Sequence, residues 1–290
     1  MDSKERIPVE KSGKAEKIRR NERMSAMMKI LSDHPNRIYT LSYFCELFGA
    51  AKSTMSEDID LLSQTVNTFG LGQLETVTGA AGGVRYRARV QPEDARSYIE
   101  GLCALLSGTE RVLPGGFLYY SDILSNPDCT RRMGAIIATE YYDASPDFVL
   151  TMETKGIPVA LSTANALGVP LVIARHASKV YEGSAVNINY VSGSSSGSIQ
   201  TMSLARRAVR EGSTCLIVDD FLKGGGTAKG MVDLMHEFNV DVVGMAFVMA
   251  TATPQKKRVS GERALMTLSV SEQDDMVTAT VSPAAWLGKA

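Results

Sequence analysis

Near its start the chain carries apolar residues at helical spacing, and by residue 74 the spacing has switched to strand alternation. Ile18, Met24, Met27, Met28 and Leu31 make one stripe, which predicts a helix from about Lys14 that stops near Asp33, ahead of Pro35. The residues before it, rich in Lys and Glu, read as a flexible tip. A second helix is expected over residues 41–48, ended by Gly49. A third begins near Ala51, where Ser53 or Thr54 can cap and Met55, Ile59, Leu62 and Val66 turn inward. Two short helices joined by a tight glycine turn make a helix-turn-helix, whose second helix enters the major groove of DNA. Lys52, Ser53, Ser56, Glu57 and Asp60 then lie on its outward face.

Residues 74–78 and 84–90 read as two strands around the turn Gly79-Ala80-Ala81-Gly82-Gly83. In the second, Val84, Tyr86 and Ala88 face one way while Arg85, Arg87 and Arg89 face the other. An arginine-lined hairpin after a helix-turn-helix is the wing of a winged helix, whose arginines can reach a phosphate backbone or the minor groove. Candidate DNA contacts are therefore Arg19, Arg20, Lys52, Ser53, Thr54, Ser56, Arg85 and Arg87. The plainer reading is a three-helix accessory or dimerisation module whose arginines only solubilise a hairpin. Glu57 and Asp60 favour it by repelling phosphates, although either can accept a hydrogen bond from cytosine N4.

Pro92 marks a boundary, giving two expected domains over residues 1–90 and 91–290. Past it a helix is expected over 95–106, then a strand over 148–152, a helix over 157–167 and a strand over 170–174. A Gly/Ser-rich loop over 192–198 precedes a strand over 215–218, a helix carrying Met231, Leu234, Met235 and Phe238, and a strand over 242–250. That alternation predicts an α/β fold with a mostly parallel sheet and helices on both faces.

Composition adds little until it is divided. The 290 residues, 44% apolar and 22% charged, suit two ordinary globular domains. Cys45, Cys103, Cys129 and Cys215 lack C-x-x-C spacing, and His34, His176 and His236 are too dispersed to suggest a metal site. Neither a signal peptide nor a bilayer-spanning apolar run is apparent, so the cytoplasm is the expected location, with no membrane contact. The net charge of -1 hides an asymmetry: residues 1–90 hold 14 Lys+Arg against 11 Asp+Glu, the remainder 17 against 21. A basic front joined to an acidic back fits a front that meets nucleic acid.

Residues 215–227, CLIVDDFLKGGGT, hold the densest chemistry. A buried strand ends in Asp219 and Asp220, and helical spacing resumes by Met231, so the loop between lies where a strand hands over to a helix. Ligands of open α/β sheets bind at the carboxyl ends of the strands, and a helix N-terminus offers unpaired N–H groups to a phosphate. Gly224, Gly225 and Gly226 let the backbone approach an anion with no Cβ in the way, and Thr227 can donate its hydroxyl. This is not a Walker A motif, because Lys223 precedes the glycines, nor is it G-x-G-x-x-G. The paired acids suit the vicinal hydroxyls of a ribose, with a Mg²⁺ able to hold oxygens of an attached diphosphate. The bland alternative is a glycine-rich turn with two solvated carboxylates.

The stretch resembles the 13-residue fingerprint of phosphoribosyltransferases, which binds phosphoribosyl pyrophosphate (PRPP). The resemblance implies a type I phosphoribosyltransferase-like domain in which Asp219, Asp220, Phe221, Leu222, Lys223, Gly224, Gly225, Gly226 and Thr227 line the ligand site. Glu153, Thr154, Lys155 and Gly156 also sit between a strand and a helix, where N–H groups can cradle a second anion. In that family the equivalent loop holds the pyrophosphate, often with a strained peptide bond. Glu153 is an awkward neighbour for it unless the carboxylate turns away or meets a metal. Arg175 and Lys179 are candidate pyrophosphate contacts, and the Ser/Gly run over 192–198 matches the mobile hood that closes over substrate. His176 stands where many of those enzymes carry a lysine.

The winged-helix front, TMETKGIP at 151–158, KVYEGSAVNINYVSGSS from Lys179 and IVDDFLKGGGT at 217–227 together resemble the purine operon repressors of Gram-positive bacteria, over nearly the whole chain. This resemblance implies a dimeric repressor of purine synthesis genes that uses the phosphoribosyltransferase fold as a PRPP sensor, with no transferase activity. PRPP then weakens the hold on DNA, guanosine tetraphosphate (ppGpp) competes for the pocket, and some relatives activate instead. The implied partners are double-stranded DNA, PRPP, ppGpp and a second copy of the chain, with no resident cofactor. The residues alone leave open a working purine phosphoribosyltransferase with an N-terminal accessory domain, although no base-recognition element is apparent after Ala250. They also leave an RNA-binding regulator, against which the wing argues, because the major groove of A-form RNA is too narrow for a helix.

Overall fold

Apolar stripes at helical spacing fold the front of the chain around one small core. A computed structural model describes residues 18–79, 82–113, 117–177, 183–192, 198–273 and 276–288. Helices α1 (Arg20–Asp33), α2 (Leu41–Phe48) and α3 (Lys52–Thr68) precede a hairpin of β1 (Gln73–Val77) and β2 (Gly83–Arg87). The helix expected from about Lys14 is corrected: Arg19 is extended and α1 starts at Arg20, while residues 1–17, with the terminal tip, lie outside the described residues. Met27, Leu31, Phe44, Met55, Ile59, Leu62 and Val66 bury together with Leu74 and Val84 from the hairpin. Thr40 caps α2, its hydroxyl accepting the Tyr43 N–H at 3.1 Å, and Gly49 ends it in the left-handed region at φ 62°. The predicted Ser53 or Thr54 cap is corrected. The chain leaves Gly49 directly into extended Ala51, so α3 has already begun before either hydroxyl.

Asp58, on the inner face of α3, is completely buried between Arg23 at 2.8 Å and Arg20 at 2.7 Å. The α1 arginines thereby pin α3, the second helix of the helix-turn-helix, to the rest of the module. This is the winged-helix arrangement, with one correction to its wing. Arg85 and Arg87 do share a face, opposite Val84 and Tyr86, and both reach Glu75 on β1. That face turns onto the second domain rather than to solvent. Arg87 is 6% exposed, its guanidinium lying 4.8 Å from the ring centre of Tyr142. It is therefore unavailable to DNA in this arrangement, because the aromatic ring and Glu75 already satisfy it.

The second domain runs α4 (Pro92–Leu106), β3 (Val112–Leu113), β4 (Phe117–Leu118), α5 (Ser121–Leu124), α6 (Pro127–Tyr141), β5 (Phe148–Met152), α7 (Ile157–Leu167), β6 (Leu171–Ala174), β7 (Ala185–Ser192) and β8 (Ser198–Ala205). It continues with β9 (Thr214–Leu222), α8 (Gly226–Glu237), β10 (Asp241–Thr251), β11 (Glu262–Gln273) and β12 (Met276–Pro283). The main sheet has the order β12-β11-β10-β9-β5-β6, parallel throughout except for β12 on β11. One core packs α4, α6 and α7 on one face, and a second packs α8 and the β7–β8 hairpin on the other. From β5 the chain steps outward to β6, then returns to place β9 on the opposite side of β5. The strand order reverses there, and the carboxyl ends of β5 and β9 separate to open a crevice.

Two regions depart from expectation. β9 continues through both aspartates to Leu222, because β10 pairs with it as far as Ala250 opposite Leu222. The hood predicted as a loop over 192–198 is flanked by an antiparallel hairpin packed on α8, while 193–197 lies outside the described residues. Among the described residues no helix is long and apolar enough to cross a membrane.

Removing one partner of a buried ion pair strands the other charges, so Asp58→Ala is expected to destabilise the front module by about 3–5 kcal/mol. Denaturant unfolding followed by the helical signal checks this. A loss under about 1 kcal/mol would mean that the pairing does not hold α1 to α3.

Candidate functional site

Two loops meet at the crevice, and the contact between them leaves no slack. Gly156, at the start of α7, lies against the Asp219 carboxylate, and a Cβ there would overlap Asp219 Oδ1 and come within 2.8 Å of Thr151 Oγ1. Asp219 is 8% exposed, and its Oδ1 accepts the Asp220 N–H at 2.9 Å. Burial, reinforced by the neighbouring Asp220 charge, pushes the Asp219 carboxyl well above the usual carboxylate range. The Thr151 hydroxyl is also buried and has no hydrogen-bond partner among the described residues. Asp220 points the other way and accepts the Tyr120 hydroxyl at 2.7 Å. Tyr120 stacks on Phe221, with ring centres 6.1 Å apart, and carries the Lys155 ammonium 5.4 Å from its own ring centre.

The glycines shape the other wall. Gly225 is left-handed at φ 79°, and Gly226, the first residue of α8, has no room for a Cβ against the Val191 carbonyl of the hood hairpin. Arg258 ties these pieces: its N–H donates to Gly224 O at 3.0 Å and its guanidinium to Val191 O at 3.0 Å. The N-terminus of α8 opens into a cavity of about 170 Å³ lined by Asp219, Leu222, Lys223 and residues 224–228. Unpaired N–H groups there suit a phosphate. Beside it, Tyr120, Lys155, Phe221 and Lys223 border a second cavity of about 600 Å³, closed by Thr251, Thr253, Leu268 and Val270. Residues after Ala250, where the sequence shows no base-recognition element, thus do line the surroundings of the site.

Glu153 turns away from the cradle. Its carboxylate accepts the His176 N–H at 2.7 Å and pairs with Arg175 at 3.3 Å. The Glu153–Thr154 peptide is cis. Lys179 lies outside the described residues. Tyr120 and Arg258 were missed by sequence reasoning. Tyr120 stands 100 residues from its partner aspartate, and no local pattern marks it. Arg258 lies in the basic run Lys256-Lys257-Arg258, the one signal that could have found it. Among the described residues no group of three His, Cys, Asp or Glu side chains is placed to hold a metal ion.

On the front domain the predicted residues divide. Arg19, Lys52, Ser53 and Ser56 are exposed and Thr54 is half-buried, while Arg20 is engaged by Glu57 and Asp58 and Arg85 by Glu75. A groove of about 620 Å³ lies between the N-terminus of α2, α3 and the hairpin, lined by Thr40, Ser42, Lys52, Ser56, Thr76 and Thr78 among others. Of its hydroxyls the sequence reading picked out Ser56 and missed Thr40, Ser42, Thr76 and Thr78.

Comparison with known proteins fits this architecture. The family model described as "Bacterial purine repressor, N-terminal" matches residues 19–88, and that described as "Phosphoribosyl transferase domain" matches residues 120–284. The "Purine biosynthesis transcriptional repressor PurR" of Bacillus subtilis is 43% identical over 253 residues, covering 87% of this chain and 88% of that protein. The "Purine biosynthesis transcriptional activator PurR" of Lactococcus lactis is 42% identical over 229 residues, covering 79% and 84%. Among solved structures, adenine phosphoribosyltransferase from Thermoanaerobacter pseudethanolicus superposes with a TM-score of 0.50 at 19% identity, covering 58% of this chain and 99% of that one, a likeness of fold alone. With both halves matched and the likeness to these regulators sustained over most of its length, the chain belongs to the bacterial purine repressor family.

Proposed function

We propose that this protein is a cytoplasmic, DNA-binding repressor of purine synthesis genes whose second domain senses PRPP without turning it over. The observation that carries this reading is the acid pair of β9, its buried Asp219 pressed against Gly156, in the same chain as a winged helix. Asp219 and Asp220 take the ribose hydroxyls. The N–H groups of Gly224, Gly225, Gly226 and Thr227 take the 5-phosphate, with Leu222 and Lys223 beside them. Thr154, Lys155 and Gly156 take the pyrophosphate, with Arg175 and Lys179 as further cationic contacts and Glu153 turned aside onto Arg175. Any Mg²⁺ enters with PRPP, held chiefly by the diphosphate oxygens. The stacked Tyr120 and Phe221 rings suit the purine of ppGpp, which would compete for the same pocket.

DNA contact falls to the hydroxyl-rich groove with Lys52, Ser53, Thr54 and Ser56, flanked by Arg19. A homodimer presents two such modules, over residues 1–90, to paired half-sites, and residues 91–290 supply the sensor. PRPP is strongly anionic and DNA binding depends on neutralised phosphates, so filling the sensor opposes DNA. Adding PRPP is expected to weaken DNA binding roughly 5- to 150-fold in a gel shift, and Asp220→Ala to remove most of that response. DNA affinity indifferent to PRPP would overturn the proposal.

The cavity of about 600 Å³ beside the sugar site favours one competing reading, a working purine phosphoribosyltransferase. Turnover separates the two. A sensor releases no pyrophosphate when PRPP is supplied with adenine, guanine, hypoxanthine or xanthine, whereas steady release with any of them makes the chain an enzyme.

The raised pKa of Asp219 yields a further expectation. A carboxyl whose folded pKa exceeds its unfolded value costs nothing while protonated in both states. Its cost grows as pH rises through the interval between the two values, and is complete above it. Asp219→Asn should therefore raise the melting temperature of the ligand-free protein near neutral pH by a few °C, with little gain below about pH 4. It should also abolish stabilisation by PRPP. A melting temperature that falls at neutral pH contradicts the costly buried charge.

A further inference from the structure

Helix α7 reaches from the sugar-phosphate site to the wing. Its N-cap, Gly156, belongs to the loop that abuts Asp219. Its 11 residues span about 16 Å and end at Gly168, left-handed at φ 69°. The last carbonyls of a helix lack partners within it, and here two of them are taken by side chains outside α7. Leu167 O accepts Asn36 Nδ2 at 2.8 Å, and Ala166 O accepts the Tyr142 hydroxyl at 3.2 Å.

Both side chains lead to the outgoing strand of the wing. The Asn36 N–H donates to Tyr86 O at 2.6 Å, and its Oδ1 accepts Arg87 Nε at 3.2 Å. The Tyr142 ring lies under the Arg87 guanidinium, 4.8 Å from its centre. The contact is close-packed: a Cβ on Gly168 would stand 2.5 Å from Pro35 O. Helix α7 is also seated on α6, where a Cβ on Gly134 would stand 2.7 Å from the Ser162 backbone, so a shift of α7 carries α6 and its C-cap Tyr142 with it.

We infer that α7 transmits occupancy of the sugar-phosphate site to the wing, through a latch made of Asn36, Tyr142 and Arg87. The inference rests on the sensor reading above. Filling the 151–156 loop moves the N-terminus of α7. The far end then either keeps its hydrogen bonds to Asn36 and Tyr142 or releases them. Close-packed contacts of this kind switch between arrangements rather than deform continuously, and the two arrangements hold β2 differently against α3. The ligand's effect on DNA is the difference in its affinity for the two. Arg87 is thus a positioning residue for the wing, not a DNA contact.

Asn36→Gly removes the amide while tolerating the left-handed φ of 61°, and Tyr142→Phe removes only the hydroxyl. Neither touches the sugar-phosphate site or the groove. PRPP affinity by calorimetry and DNA affinity by fluorescence anisotropy, with and without saturating PRPP, are measured on the full chain, its two variants and their combination. PRPP affinity is expected to stay within about threefold of the unmodified chain, while ligand-free DNA affinity moves toward that of the PRPP-bound unmodified chain and the remaining effect of PRPP falls below about twofold. A full PRPP response in the combined variant overturns the latch and leaves the sensor reading standing. No PRPP response in the unmodified chain removes the sensor reading, and the latch with it. Should the combined variant not fold, hydrogen exchange on the unmodified chain decides. PRPP is expected to change protection of the Asn36, Tyr39 and Val84 amides, and unchanged protection there overturns the inference.

Discussion

A carboxylate and a glycine pressed together at the carboxyl ends of two neighbouring strands are the constraint on which the rest of this structure turns. The reversal of strand order between β5 and β9 brings their following loops face to face. Only a residue without a Cβ can then stand where Gly156 stands, because Asp219 occupies the space. Asp219 is held out of water with one backbone N–H as compensation, and the Thr151 hydroxyl beside it is left without a partner among the described residues. Buried polar groups kept short of hydrogen bonds weaken the empty fold. They are also groups that a ligand's hydroxyls can satisfy, which is why such sites concentrate perturbed acids.

Internal pairing changes the meaning of the charge balance. The basic excess of the front domain suggests a positive surface, yet Arg20 and Arg23 are committed to Asp58, and Arg85 and Arg87 to Glu75. The groove between α3 and the hairpin is lined mainly by hydroxyls and backbone, with Lys52 as its cation and Asp60 as its anion. Recognition by such a surface depends on positioned hydrogen bonds and on the N-terminus of α2 more than on net charge. The arginines act beneath that surface, fastening helices and strands whose relative placement gives the groove its shape. Arg87 extends that role across the domain boundary, since it stacks on Tyr142 at the end of α6 while bonding Asn36 of the front module.

Elements whose signals lie within a few residues were legible from the sequence alone. The apolar stripes located α2, α3, β5 and α7, and Gly49 marked a helix end because a left-handed residue must follow it. The paired acids and glycines of 219–227 marked the turn between β9 and α8 at the crevice, since those residues are adjacent in the chain. Tertiary packing alone decided which distant groups would join them, such as Tyr120 on Asp220 and Arg258 across Gly224 and Val191. It also decided that the arginine face of the hairpin would meet the second domain. Alternation tells which side chains share a side of a strand, but the direction that side faces depends on what the remainder of the chain packs against it.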